Sequence, residues 1–450
     1  MLKSIPAAPR RRIAIVSTYD ELCGIAGYTR ALEKQLAPHV ELTVFDLDQY
    51  LLRSKHKRVQ RLADEHIREI AAALKGFDCV NLQLEHGTLG RTTRQILHRF
   101  RMLADAAPAL SVTMHTVLVQ EDLPLEVSIR LLLSGHLPSL GKVIDLYIKG
   151  LSMGRGIQGY LHRLQEKKPV SIIVHTKRDM RIIRDLYRIN NVYHHPLSFI
   201  PRPLAQHVRR TTGRAAFPLL QGLPENARLI GTFGFLSPYK GFETAVQALK
   251  FLPEDHHLLI FGGLHPQGIR REEPIDPYIL KLLRAARIGQ TPLDHIKESN
   301  VAISPSGDML TLIADHPKSM QNRIHFMGAL SDDEFYAAMA LCDVAVFPYM
   351  EVGQSSSGPI SIAIEMGTRV IASRTAAFRA YARYHPGRVE FFDIGNYAEL
   401  ATRILAAGPQ ESGAPALTHD TDTNAALYLR ANGVALVPES QPVMLASAAE

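Results

Sequence analysis

The chain has 450 residues, 46% hydrophobic and 21% charged, which is too long for one core of about 100–150 residues and suits two domains. Its 51 basic residues against 44 acidic ones leave a formal charge of +7, which favours anionic partners without choosing among them. No long biased tract makes it disordered, and no apolar run reaches the ~20 residues of a membrane-spanning helix, so any membrane contact is expected to be peripheral. Cys23, Cys79 and Cys342 lie far apart without metal-ligand spacing, which places the expected setting in a reducing cytoplasm.

In chain order, the apolar run Ile13 to Val16 leads into a turn containing Gly24 and Gly27 and then a helix to Leu36. Strand-like segments follow at Val40 to Phe45, Cys79 to Leu84, Leu110 to Met114 and Ser171 to Val174, with a basic helical stretch from Leu51 to Leu74. Short apolar strands alternating with helices predict a parallel sheet covered on both faces, a Rossmann-like doubly wound α/β unit over residues 1–205. Val119 to Lys168 turns helical and basic, as an insertion does. The proline- and arginine-rich stretch from Pro196 to Arg228 reads as the interdomain connection.

The same alternation then repeats over residues 206–408: strand Leu229 to Phe233, helix Phe242 to Leu249, strand His257 to Phe261, strand Ile324 to Met327, helix Asp332 to Leu341 and strand Val344 to Phe347. Between them, residues 263–322 are long for a connection, with a helix predicted around Tyr278 to Arg287. Residues 409–450 read as a polar tail.

Two segments carry chemistry. Gly234 to Gly241 (GFLSPYKG) lies between a predicted strand and a predicted helix, where free amides, the positive helix end and Lys240 can cradle phosphate. Gly353 to Gly358 follows a strand with Ser355, Ser356 and Ser357, and can offer amides and hydroxyls to a diphosphate or sugar; Glu365 lies farther along the helix behind it, where it can accept from ribose hydroxyls. The bland alternatives are a solvated lysine, a serine-capped turn and a salt-bridged glutamate.

These segments also carry a resemblance. Taken in order with Ile15-Val-Ser-Thr-Tyr19, Gln83-Leu-Glu-His-Gly87, Val112-Thr-Met-His-Thr116, Ile324-His-Phe-Met-Gly328 and Gly367-Thr-Arg-Val-Ile-Ala-Ser373, the sequence resembles the GT-B glycosyltransferases of family 4 from Ile13 to about Leu400. The resemblance implies two Rossmann-like domains facing across a cleft, with a nucleotide sugar on the C-terminal one, an acceptor on the N-terminal one, and transfer with retention. Lys240 resembles the family's diphosphate lysine and Glu365 its ribose glutamate. Gly24 and Gly27 look like the loop that closes over the donor, joined on the donor side by Gly234, Ser355, Ser356 and Gly358. His115 occupies the place of a histidine that approaches the reacting sugar, Ser357 that of a carboxylate near the donor sugar, and Glu85 and His86 are acceptor-side candidates.

Two departures stand out. Eight positions before Glu365 the family often has a second glutamate, where this chain has Ser357; and Phe235 stands where an arginine often follows the glycine of the phosphate turn, leaving Arg374 to be weighed as a helper. His175 and His195 close strand-like segments, for which structural roles are at least as good a reading. The basic run Arg53 to Arg61 suits an anionic bilayer or a lipid-linked acceptor better than nucleic acid, since no aromatics interleave with its bases.

The expected function is therefore transfer from a UDP- or GDP-linked sugar to a glycan or lipid-linked acceptor in polysaccharide or glycoconjugate biosynthesis, without metal or cofactor. The rivals are a binding or assembly protein on the same scaffold, and a sugar-nucleotide epimerase that makes product with no acceptor present.

Overall fold

The computed structural model describes residues 10–21, 23–85, 87–117, 125–263, 276–287, 320, 322–353, 355–406 and 413–435; in residues 142–151 some side chains are left out as well. His86, most of 263–322 and the ends of the predicted tail lie outside the described residues.

The first unit runs β1 (Arg12–Ser17), α1 (Gly24–Leu36), β2 (Glu41–Asp46), α2 (Gln49–Leu52), α3 (Lys57–Leu74), β3 (Cys79–Leu84), α4 (Thr93–Ala106), β4 (Leu110–Met114), α5 (Leu125–Leu133), α6 (Leu137–Leu164), β5 (Val170–Val174), α7 (Lys177–Arg181) and β6 (Val192–His194). Its six strands are parallel in the order β2-β1-β3-β4-β5-β6. The basic stretch read as one helix is two, α2 and α3, broken where the chain turns at 53–56. The central strand β3 is buried along its whole length although it carries Asn81 and Gln83, because their amides bond to Ser111, Thr113 and each other.

A linker then enters α8 (Arg202–Thr211), inside the segment read as a plain connection, and α8 packs on helices of the second unit. That unit runs β7 (Arg228–Phe233), α9 (Phe242–Leu249), β8 (His256–Phe261), α10 (Pro277–Arg287), β9 (Ile324–Gly328), α11 (Asp332–Leu341), β10 (Val344–Phe347), α12 (Gly358–Met366), β11 (Arg369–Ser373), α13 (Ala376–Ala382), β12 (Val389–Phe392) and α14 (Tyr397–Leu405). Its strand order is β12-β11-β10-β7-β8-β9, again all parallel.

Within the polar tail, Thr421–Ala431 forms a further helix, α15, that returns to the first unit. Asp420 caps it through Thr423, and its inward face carries Asn424, Tyr428 and Leu429. The Tyr428 hydroxyl reaches Thr113 at 3.0 Å, and Asn432 beyond the helix accepts from Cys79. One apolar cluster therefore runs through both units, joining Tyr28 of α1, Phe199 of the linker, Ile360 of α12 and Tyr428. The two units are thus joined by shared core packing as well as by the linker.

Candidate active site in the cleft

In a parallel sheet the loops after the strands all emerge at the carboxyl edge, and the helix N-termini gather there with their unpaired amides. Here the two carboxyl edges meet across the cleft. Arg30 of α1 forms a two-pronged bond to Asp332 at the start of α11, 2.7 and 3.1 Å; Asp179 of α7 takes a hydrogen bond from Ser355; and the phenol pKa of Tyr239 is raised by burial and then by the nearby Glu85 carboxylate.

On the second unit, backbone shape puts Lys240 in place. Gly234 has φ +124°, and a Cβ there would lie 3.0 Å from the Lys240 side chain, so only glycine lets that chain lie across the turn. Gly241 has φ +62°, and a Cβ on it would come within 2.0 Å of the Pro348 carbonyl oxygen. These two glycines fold Lys240 inward.

Lys240 is only 5% exposed, with its ammonium 3.9 Å from the ring centre of Tyr349 and 4.9 Å from that of Tyr239, and it donates to the Tyr349 hydroxyl. No carboxylate among the described residues pairs with it, and burial lowers its pKa from 10.5 to about 7. The Tyr349 hydroxyl is also 3.3 Å from Ser357 Oγ at the N-cap of α12. A largely buried cluster of Lys240, Tyr239, Tyr349 and Ser357 thus lies beside the α12 N-terminus, a set of donors suited to an anion with several oxygens. Ser355 and Ser356 lead into it, both half-buried.

The two tyrosines carry no sequence signal, since aromatic residues after β-strands are common core residues. Replacing Tyr349 by Phe removes an acceptor from the ammonium and should lower the Lys240 pKa beyond what burial already does. The fall of affinity for a polyanion such as pyrophosphate with rising pH should then begin at lower pH than in the parent, read by calorimetric titration across pH 6–9, with about a tenfold loss at neutral pH.

Glu365 is placed differently. It is 5% exposed, and its carboxylate accepts from Ser198 Oγ at 2.6 Å and from the amides of Phe199 and Ile200 at 3.0 and 3.1 Å. Burial pushes its pKa up to about 8 against the opposite pull of those donors. Its oxygens are turned to the linker, so the structure does not bring Glu365 into one cluster with Lys240. The ring of Phe199 fills the space above Gly358, 3.1 Å from where a Cβ would be.

On the first unit, His115 is buried, with Nε2 2.8 Å from Gln83 Oε1 and Nδ1 3.3 Å from His175 Nε2. His175 Nδ1 faces the carbonyl of His195, which can only accept, so that nitrogen carries the proton. Burial lowers the pKa of His115 to about 4 and that of His175 well below its usual value. Both rings are therefore neutral near pH 7, and since Gln83 Oε1 and His175 Nε2 both accept, the one proton of His115 makes a hydrogen bond to one of them and leaves the other as a close contact. His195 bonds Thr423 of α15 at 3.0 Å through Nε2 and is a structural residue. Glu85 accepts from Thr116 at 3.0 Å at the cleft rim.

Gly24 and Gly27 open α1, whose cap is Cys23. Gly24 faces open space, whereas a Cβ on Gly27 would touch Asp332 at 3.4 Å, so Gly27 allows α1 to approach the second unit. Arg374, weighed as a phosphate helper, is instead paired with Asp393 and set over the ring of Phe391. Among the described residues no three of His, Cys, Asp and Glu gather as metal ligands would.

No family model and no curated protein matches the sequence. The fold does match solved structures. HepE from Anabaena, in complex with UDP-glucose, aligns at TM-score 0.52 with 14% identity over 93% of this chain and 99% of that one. Sucrose-phosphate synthase from Thermosynechococcus elongatus aligns at 0.53 with 15% identity, covering 94% and 95%. The UDP-forming alpha,alpha-trehalose-phosphate synthase from Burkholderia xenovorans, in complex with glucose-6-phosphate, aligns at 0.54 with 11% identity, covering 93% and 99%. This chain has the GT-B fold. At these identities the likeness speaks for architecture, and chemistry has to come from the residues.

Proposed function

We propose that this protein is a glycosyltransferase that takes a sugar from a nucleoside diphosphate and passes it, with retention, to a glycan or lipid-linked acceptor in polysaccharide or glycoconjugate biosynthesis. The observation that carries the reading is the buried Lys240 ammonium, which no described carboxylate neutralises, with Ser357 and the α12 N-terminus reached through the Tyr349 hydroxyl. An unneutralised buried cation is costly unless an anion visits it. A diphosphate is the anion that the GT-B architecture suits, and HepE was solved with UDP-glucose bound.

In this reading Lys240, Ser355, Ser356, Ser357, Gly234 and Gly358 hold the diphosphate and sugar, and the α1 N-terminus at Gly24 and Gly27 faces them from the first unit. As the glycosyl bond breaks, charge grows on the departing diphosphate and is stabilised by Lys240 and the helix amides, with no reorganisation needed. The closed cleft keeps water from the oxocarbenium-like centre. The leaving phosphate takes the acceptor proton. Glu85 orients the acceptor, with His86 as a further candidate. Ser357 offers a hydroxyl in place of a carboxylate, and His115 acts by positioning Gln83 and His175 rather than by proton transfer. The setting is the cytoplasm, with peripheral contact at an anionic membrane face.

A second reading, a nucleotide-binding protein without turnover, is favoured by the burial of His115 against Gln83 and His175 and by Ser357. A panel of UDP- and GDP-sugars decides between them. The expected result is a rise in the thermal midpoint with UDP or GDP, equivalent to roughly 2.7 kcal/mol at a hundredfold excess over Kd, together with diphosphate release that depends on acceptor. A midpoint shift without release selects the binding protein, and no shift with either nucleotide removes the donor assignment. Product formed with no acceptor selects an epimerase.

A further inference from the structure

Seven of the large apolar side chains most exposed to solvent fall in one short stretch: Leu125, Val127, Ile129, Leu132, Leu133, Leu137 and Ile144. They belong to α5 and the first half of α6, which the turn at Ser134-Gly135-His136 joins into a hairpin. On α5, positions 125, 129, 132 and 133 share one helix face, and Leu133 at 83% and Leu137 at 61% exposure flank the tip. A shallow cavity of about 520 Å³ lies here, lined by Glu126, Ile129, Arg130, Leu133 and Ser134. Contiguous apolar surface of this kind on a water-soluble fold marks a contact site.

The hairpin's position follows from how α6 packs. Leu97 of α4 touches Gly156 of α6, Phe100 packs on Tyr160, and Tyr160 donates to Asp105, so α4 and α6 run side by side in the same direction. Because α4 begins at Thr93, α6 up to about residue 151 reaches beyond it by about 20 Å at 1.5 Å per residue, past the carboxyl edge of the sheet. At that same edge α3 begins, bonded to α4 through Asp64 and Arg99; the exposed Arg53, Lys55 and His56 precede it and the exposed Lys57 and Arg58 open it. An overhanging apolar hairpin and a basic segment thus share the edge that opens on the cleft.

We propose that the α5–α6 hairpin docks the protein onto a bilayer containing anionic lipid, with Leu132, Leu133 and Leu137 entering the acyl boundary and Lys55, Lys57 and Arg58 resting on the headgroups. Apolar side chains around a protruding tip, with cations beside them, fit a fluid surface that surrounds the tip; Glu126 is the one described acid on α5, opposed by Arg130 a turn later. The inference rests on the glycosyltransferase reading only in what it adds to it, namely that the acceptor is presented at a lipid surface.

The test is co-sedimentation of the full chain with phosphatidylcholine vesicles, with and without phosphatidylglycerol, in the absence of any nucleotide. Phosphatidylglycerol vesicles should pellet the protein, and salt should weaken the binding. Leu132→Glu/Leu133→Glu/Leu137→Glu should cut partitioning at least tenfold while leaving the circular dichroism, thermal midpoint and UDP affinity unchanged, since these side chains are exposed. Lys55→Glu/Lys57→Glu/Arg58→Glu should abolish the preference for phosphatidylglycerol. The proposal is overturned if the parent stays in the supernatant with both vesicles, if the leucine variant pellets as the parent does, or if light scattering shows a dimer that the leucine changes dissolve without any vesicle binding. Vesicle binding with no UDP binding would leave the docking surface standing and remove the donor reading instead.

Discussion

Lys240→Met is expected to weaken binding of the nucleoside diphosphate by about a hundredfold and, at the same time, to raise the unfolding midpoint by several degrees. The first effect follows from removing a charge-assisted contact worth roughly 3 kcal/mol in a water-excluded site. The second follows from linkage. In the unfolded chain Lys240 titrates near 10.5, and in the folded, empty protein at about 7. Between those values the unfolded state holds a proton that the folded state has lost, so the parent gains stability as pH rises from 7 to 10.5 and bears the full cost of burying the ammonium below 7. The advantage of the methionine variant should therefore be greatest near pH 6 and vanish towards pH 10, measured as urea midpoints across the series. A diphosphate restores the lysine's charge, so binding to the parent should take up a proton above pH 7, visible as a dependence of calorimetric heat on the buffer's ionisation enthalpy. An unchanged affinity in Lys240→Met would remove the lysine from the site. Stability sacrificed for a ligand-binding charge is a common trade-off.

Glu365→Ala is expected to lower stability by roughly 3 kcal/mol, because it leaves the Ser198 hydroxyl and the amides of Phe199 and Ile200 buried without an acceptor. The pH sign is opposite to that of Lys240. The folded carboxyl titrates at about 8 and the unfolded one near 4.5, so its protonated form contributes fully below 4.5, and that contribution is lost as pH rises to 8. Glu365→Gln, neutral throughout, should show less decline than the parent between pH 6 and 9. The ribose role that the resemblance implies makes a separate prediction, that the parent prefers UDP to its 2′- and 3′-deoxy analogues and that Glu365→Gln erases the preference. Destabilisation with the preference intact assigns Glu365 to the linker, where the hydrogen bonds place it.

Much of the architecture was legible in the residues, because the signals behind it are local. Strands such as Cys79–Leu84, Leu110–Met114 and Val344–Phe347 are short apolar runs, and helices such as Phe242–Leu249 and Asp332–Leu341 begin at identifiable turns or caps. Gly234 and Gly241 likewise mark a turn between strand and helix in the sequence, although what makes glycine necessary at 241 is the distant Pro348 carbonyl. The helix α15 was not legible, since its reason for forming is the surface of the first unit on which Tyr428 and Asn424 dock.

The sequence by itself determined the two parallel α/β units, the glycine turn around Lys240 and the serine-rich entry to α12, all set by backbone preferences within a few residues of one another. Only the tertiary structure decided that Tyr239 and Tyr349 enclose Lys240, that Glu365 holds the linker, that His115 is tied to His175 and Gln83, and that α6 overhangs the sheet edge. Those facts depend on which side chains are brought together from strands and helices far apart in the chain, and burial, which sets the charge state of each, is a property of that assembly and not of any one segment.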